Sequence, residues 1–122
     1  MAAIAKKIMV GFDGSDEARR ALDRAAELAG YGSTVTVVNV VSSARGERPL
    51  ADARDHLAKR HVRARIVERV GEPADTLIET AAAEDVDLLV VGSRNGGGKR
   101  FVLGPVTDRV VHDAPCDVLV VR

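Results

Sequence analysis

The stretch Lys7 to Ala29, KIMVGFDGSDEARRALDRAAELA, decides the fold. Its first part, Lys7 to Phe12, is a short, mostly apolar run of strand length. Asp13-Gly14-Ser15 reads as a turn, and Ser15 is placed to cap the helix that follows. Ala18, Ala21, Leu22, Ala25, Ala26 and Ala29 then recur at helical spacing. Gly30 and Gly32 are expected to stop that helix. A buried strand that turns directly into an amphipathic helix is half of a βαβ unit, so the question is whether the pattern repeats.

It does. Thr34 to Val41 (TVTVVNVV) is a β-branched strand, followed by a polar loop from Ser42 to Pro49. Leu50 to Lys59 reads as a short helix, with Leu50, Ala53, Leu57 and Ala58 inward. Val62 to Val67 alternates, placing Val62, Ala64 and Ile66 on one face and Arg63 and Arg65 on the other. A charged face suits a strand at a sheet edge, where those arginines are solvated. Pro73 suits a first helical position, and Ala74, Leu77, Ile78, Ala81 and Ala82 form one stripe. Asp87 to Val91 (DLLVV) is a further strand. Pro105 opens the last helix, with Val106, Val110 and Ala114 inward, and Ala114-Pro115 ends it. Val118 to Val121 is the final strand. Five strands alternating with four helices predict an α/β fold: one open parallel sheet with helices on both faces, in a single domain spanning 1–122.

Composition narrows the function. The 122 residues are 46% hydrophobic, 30% charged and only 2% aromatic, so the core must be built from Val, Leu, Ile and Ala. Eighteen basic and eighteen acidic residues cancel, which does not fit a nucleic-acid binder. No apolar run reaches membrane-helix length, the start lacks the layout of a signal peptide, and the location expected is cytoplasmic. One cysteine, Cys116, excludes an internal disulfide, and it reads as a small buried side chain. His56 and His61, five apart and without a completing Cys or Asp, do not read as a metal site.

In open parallel sheets, ligands sit beyond the carboxyl ends of the strands. Two stretches stand out there. One is Gly11-Phe12-Asp13-Gly14-Ser15 after the first strand; the other is GSRNGGGKRFVLGP, Gly92 to Pro105, after the fourth. Glycine amides leading into a helix can hold phosphate, and an acid can accept from ribose hydroxyls. The loop is not a Walker cradle, because Ser93 stands where a glycine is needed and Arg100 follows Lys99. Nor is it a dinucleotide fingerprint, because Phe101 stands at the third glycine.

With those stretches in view, the chain resembles the universal stress proteins of the UspA type. The likeness runs through KKIMVGFDGSDEARRALDRAAELA, EDVDLLVVGSR and LGPVTDRVVHDAPCDVLVVR, in order and at matching separation. It implies strand order 3-2-1-4-5 in a Rossmann-like sheet of the adenine nucleotide alpha hydrolase-like kind. It also implies a homodimer through the last strand, and a role in stress response or regulation. The nucleotide it implies is ATP or AMP, with Mg as a companion ion.

Members that bind ATP carry Gly-x2-Gly-x9-Gly-[Ser/Thr]. Gly92 matches the first position, with Ser93 and Arg94 as fillers, but Asn95 replaces the second glycine. Only eight residues separate Asn95 from Gly104, so the loop is one short, and Pro105 replaces the hydroxyl residue. Pro105 has no N–H to offer either, and Thr107 need not substitute. Gly96, Gly97 and Gly98 can supply other amides. Asp13 falls at the ribose acid, Val40 at the residue whose backbone meets adenine, and Gly11 replaces a frequent Pro; Phe12 and Val106 complete the candidate site. Two readings stand: an adenine-nucleotide binder with an altered phosphate loop, or a UspA-type dimerisation and signalling module without nucleotide. On the plainer view the glycine loop is a connector and Asp13 caps a turn. A phospho-receiver is disfavoured because its Asp and Lys are missing after the third and fifth strands. A flavodoxin is disfavoured because the first loop is too acidic for FMN. No base–nucleophile pair suggests an enzyme.

Overall fold

The computed structural model describes residues 5–41, 50–60, 62–93 and 103–122. The elements follow in the order β1 (Ala5–Gly11), α1 (Asp16–Leu28), β2 (Ala29–Val41), α2 (Leu50–Ala58), β3 (Ala64–Val70), α3 (Pro73–Ala83), β4 (Leu88–Gly92), α4 (Pro105–Asp113) and β5 (Asp117–Val121). The sheet is parallel throughout, in the order β3-β2-β1-β4-β5. The sheet, its strand order and the helices on both faces are as expected from the sequence.

Alternation along the strands makes two cores. Ile8, Val10, Val35, Val37 and Val90 face α1 and α2, where they meet Ala18, Ala21, Leu22, Ala25, Ala53 and Leu57. Met9, Val38, Val67, Leu89 and Val91 face α3 and α4, where they meet Ala74, Leu77, Ala81 and Val110. Met9, Val10, Val37, Leu89 and Val90 are completely buried, as strands covered on both sides must be.

Several boundaries differ from the sequence reading. Gly30 and Gly32 do not end α1. The helix stops at Leu28, and Ala29 caps it in an extended conformation, its N–H donating to the Ala25 carbonyl. The glycines instead belong to β2, which starts five residues earlier than the β-branched run. There the register slips between Ala5 and Lys7, and Gly32 takes φ +90°. Ser33 ties the irregularity down, its hydroxyl donating to the Ala5 carbonyl at 2.7 Å. β1 ends at Gly11 rather than Phe12, although the Phe12 N–H still reaches the Val38 carbonyl at 2.9 Å. β3 is displaced toward its carboxyl end, beginning at Ala64 and running to Val70, and β4 begins at Leu88. Ala58 and Ala82, expected inward, are exposed, and Thr80 is buried in the α3 stripe instead. The polar loop over 42–49 lies outside the described residues.

The helix ends are well provided. The Ser15 hydroxyl accepts from the Ala18 N–H at 3.1 Å, with Asp16 and Glu17 in the first turn of α1. Glu72 caps α3, accepting from Ala74 and Asp75 at 3.2 and 2.6 Å. Asp23 on α1 meets His56 at 2.5 Å and Arg60 at 2.9 Å, fastening the end of α2. In the last turn of α4, His112 Nδ1 lies 2.7 Å from the Asp108 carbonyl oxygen. That hydrogen bond, with the Asp108 and Asp113 charges behind it, raises the imidazole above its ordinary value near 6.5.

A raised folded-state pKa stabilises the fold fully below the unfolded value and ceases to do so as pH climbs through the folded one. Stability of the wild type minus that of His112→Gln is therefore expected to be larger at about pH 5.5 than at about pH 8. Urea denaturation at both pH values measures it; a difference that grows with pH contradicts the assignment.

Candidate functional site

Strand order dictates where a site can form. The chain leaves β1 toward β2 on one side and enters β4 on the other, so the carboxyl ends of β1 and β4 flank the switch point. A cavity of about 450 Å³ opens there. Of the residues singled out from the sequence, Gly11, Phe12, Asp13, Val40, Gly92, Pro105 and Val106 line it. Ser93 and Gly104 sit directly behind: Ser93 N–H donates to the Val121 carbonyl at 2.7 Å, and Gly104 N–H to the Ser93 carbonyl at 3.0 Å. Arg94, Asn95, Gly96 and Gly97, with the question of a one-residue shortening, lie outside the described residues.

The lining runs across the strand order. On the β2 side it is apolar, formed by Val38 and Val40 with Leu77 of α3 above them. The centre is the β1 loop with Asp13. The β4 side is the first turn of α4, represented by Pro105, Val106 and Thr107. Gly11 keeps the slot open, since a Cβ there would lie 3.1 Å from Leu77 Cδ1 and 3.3 Å from Val91 Cγ1. Phe12 is 97% buried and belongs to the core as well as to the cavity lining.

Asp13 has a structural task. Its Oδ1 accepts from the Ser15 N–H at 3.0 Å across Gly14, which takes φ +85°. Capping this turn and meeting a ligand are compatible, because a carboxylate has two oxygens and several lone pairs. Gly92 also has a structural task. A Cβ there would lie 2.7 Å from Glu17 Cβ, 2.9 Å from the Glu17 carbonyl carbon and 3.1 Å from Ala18 N. The first turn of α1 thus packs directly on the end of β4.

At α4, Gly104 is an N-cap without a side-chain partner, and Pro105 holds the first helical position. The Asp108 N–H is used by the Gly104 carbonyl at 2.9 Å, so Val106 and Thr107 carry the first-turn amides, at the positive end of the helix dipole. Thr107, discounted in the sequence, is 96% buried, and its hydroxyl donates to the Gly92 carbonyl at 2.7 Å. That donor is committed, so Thr107 does not restore the hydroxyl lost at Pro105. Ser93 is different: its hydroxyl is fully buried and has no hydrogen-bond partner among the described residues.

Pro73, Leu77, Val38 and Thr107 line the cavity although the sequence did not single them out as site residues. Leu77 and Val38 read as core, which they also are. Only knowledge of which strand end neighbours which helix start would have separated the two roles. Between α3 and α4, Arg109 pairs with Asp75 and lies 3.6 Å from Glu72, the α3 cap, and 3.5 Å from Asp113. These carboxylates, Asp75 foremost, raise the guanidinium above its usual value. Among the described residues, no group of His, Cys, Asp or Glu is arranged to hold a metal ion. No helix of the described residues is long and apolar enough to cross a membrane.

An open parallel sheet in this order, with its cavity at the switch point between β1 and β4, is the architecture of an α/β ligand-binding fold. The universal stress protein family model matches residues 5–56 and 42–122, and the chain belongs to that family. A universal stress protein of Thermus aquaticus is 35% identical, over 96% of this chain and 98% of that one. YxiE, a universal stress protein of Bacillus subtilis, is 30% identical, over 95% of this chain and 98% of its own length. Among solved structures, a universal stress protein in complex with cAMP superposes with a TM-score of 0.82 at 30% identity, covering 99% of this chain and 98% of that chain.

The close approach at Gly92 makes an expectation. Gly92→Ala should destabilise the protein by about 1–3 kcal/mol through overpacking against the α1 backbone. The urea midpoint should fall without a change in slope; an unchanged midpoint would show that α1 can move aside freely.

Proposed function

We propose that this chain is a regulatory universal stress protein that binds an adenine nucleotide in the cavity between β1 and β4, without turning it over. The observation that carries the reading is the order of chemistry across the cavity. An apolar slot of Val38, Val40 and Leu77 suits a base, Asp13 follows it, and the first turn of α4 comes last. That order matches base, ribose and phosphate laid across the strand ends, and the volume lies within the range of ordinary ligand pockets. The cAMP found in the structural neighbour supports the nucleotide class. The non-enzymatic reading rests on the lining: its described residues include no His, Lys or Cys, and the Thr107 hydroxyl is bound to Gly92. Companion Mg belongs to the same proposal and would be carried by the phosphates.

Pro105 withholds an N–H and a hydroxyl from the phosphate side, so affinity comes chiefly from base and ribose. AMP and ATP should bind within about tenfold of each other by calorimetry, where charge-assisted bonds to extra phosphates would separate them. A hundredfold preference for ATP overturns that account of the loop. Asp13→Asn keeps a carbonyl oxygen for the Ser15 turn but removes the charge. It should weaken both nucleotides by about one to two decades, the ~1.5–3 kcal/mol of a charged hydrogen bond. Undiminished affinity removes Asp13 from the site, and no heat from either nucleotide favours the nucleotide-free module.

The same proposal includes a homodimer through β5. That strand closes one edge of the sheet, and Val118, Leu119 and Val120 are only half-buried. Sedimentation equilibrium should show a dimer, and a monomer at high micromolar concentration refutes it.

A further inference from the structure

The opposite edge of the sheet has a different character. β3 pairs with β2 alone, so its outer backbone edge has no strand partner among the described residues. On the α1–α2 side, Val62, Ala64 and Ile66 pack against the core. On the other face the alternate positions are Arg63, Arg65, Val67 and Arg69. Three of the four are arginines, and all three are exposed. Arg65 reaches Glu84 at 3.1 Å, whereas Arg63 and Arg69 have no ion-pair partner among the described residues. A groove of about 680 Å³ begins at the amino end of this face, between Arg63, Arg65, Lys7, Thr34 and Thr36, with Glu84 as its one carboxylate among the described residues. Val70, at the far end of the strand, is 57% exposed.

We propose that this edge binds an extended acidic segment of a partner protein, which adds to the sheet as a sixth strand beside β3. Arg63 to Arg69 spans about 20 Å at strand rise, too long for one phosphate and the length of a six- or seven-residue strand. The open backbone edge offers the hydrogen bonds, and the side chains set the choice. On one face a matching strand carries Asp or Glu beside Arg63, Arg65 and Arg69, and an apolar residue beside Val67. Arginines do blunt edges against indiscriminate pairing. The same charges that repel a second copy of β3 attract a strand of opposite charge, so protection and selection are one device. The nucleotide cavity opens at the carboxyl ends of β1 and β4 with Val38 and Val40 of β2 on its border, whereas the proposed surface is the outer edge of β3, and this proposal does not depend on that cavity.

The test uses the full chain and a fluorescein-labelled peptide, Glu-Thr-Glu-Thr-Val-Thr-Glu, with its acids and Val on one face. A scrambled peptide of the same composition and inorganic pyrophosphate are the controls. The ordered peptide is expected to bind at least tenfold tighter than the scramble, and more weakly as salt rises. It should also slow hydrogen exchange at amides between Ala64 and Val70. Arg63→Glu/Arg69→Glu should lose at least tenfold; Arg63→Gln/Arg69→Gln, without charge reversal, should lose less, both with unchanged circular dichroism. Equal binding of ordered and scrambled peptides, or displacement by pyrophosphate without amide protection, overturns the proposal in favour of a simple anion patch. Absence of binding at millimolar peptide also overturns it.

Discussion

The contact between the end of β4 and the first turn of α1 is the constraint on which the rest depends. With no side chain at Gly92, Glu17 and Ala18 come within 2.7 to 3.1 Å of where its Cβ would stand. The helix start that follows β1 is therefore anchored on the neighbouring strand, not only on its own. This brings the β1 loop against the β4 end, and the cavity opens between them and the first turn of α4. Thr107 closes the other side, its hydroxyl bound to the carbonyl of the same glycine. Gly92 is thus held by α1 through the absence of a side chain and by α4 through a hydrogen bond. A single residue couples both helical layers to the site.

The two layers are fastened differently. α1 and α2 rest on an aliphatic core and share the Asp23 carboxylate with His56 and Arg60. α3 and α4 share Arg109, which stands among Asp75, Glu72 and Asp113. Each of these pairs is substantially exposed, so its energetic worth is small by comparison with the buried aliphatics. Its geometric effect is larger, because Pro73 and Leu77 on α3 and Pro105 to Thr107 on α4 form opposing parts of the cavity. Arg109 bridges the two helices that carry those parts.

The fold was legible because its signals are local. Ile8 to Val10, Val37 to Val38 and Leu88 to Val91 are apolar on both faces, the pattern of strands covered by two layers of helices. Ser15 and Pro105 marked helix starts by their own chemistry. What failed was decided by contacts across the chain. Gly30 and Gly32 looked like helix stops, but Ser33 draws that segment onto Ala5 and extends β2 through it. Ala82 looked like core, yet α3 covers the sheet along Ala74, Leu77, Ile78, Thr80 and Ala81, and Ala82 is exposed. At the site, Asp13, Gly11 and Gly92 were visible as oddities at strand ends. Leu77 and Thr107 were not, because an inward Leu and a buried Thr carry no mark of which cavity they border.

The two edges of the sheet follow from the same rule of alternation. β5 has apolar residues on both faces, because both layers of helices reach it, and it is left half-buried for want of a neighbour. β3 has α2 against one face, but on the other it extends beyond α3, and arginine replaces aliphatic wherever that face meets water. Val67 is the exception that locates the boundary: it is 91% buried and belongs to the α3 core, while Arg65 and Arg69 on either side of it are exposed. The charge of β3 is thus a direct record of how far α3 reaches. One edge is apolar and the other cationic, so two copies of this chain are poorly matched β3 to β5 and a filament of stacked sheets is disfavoured.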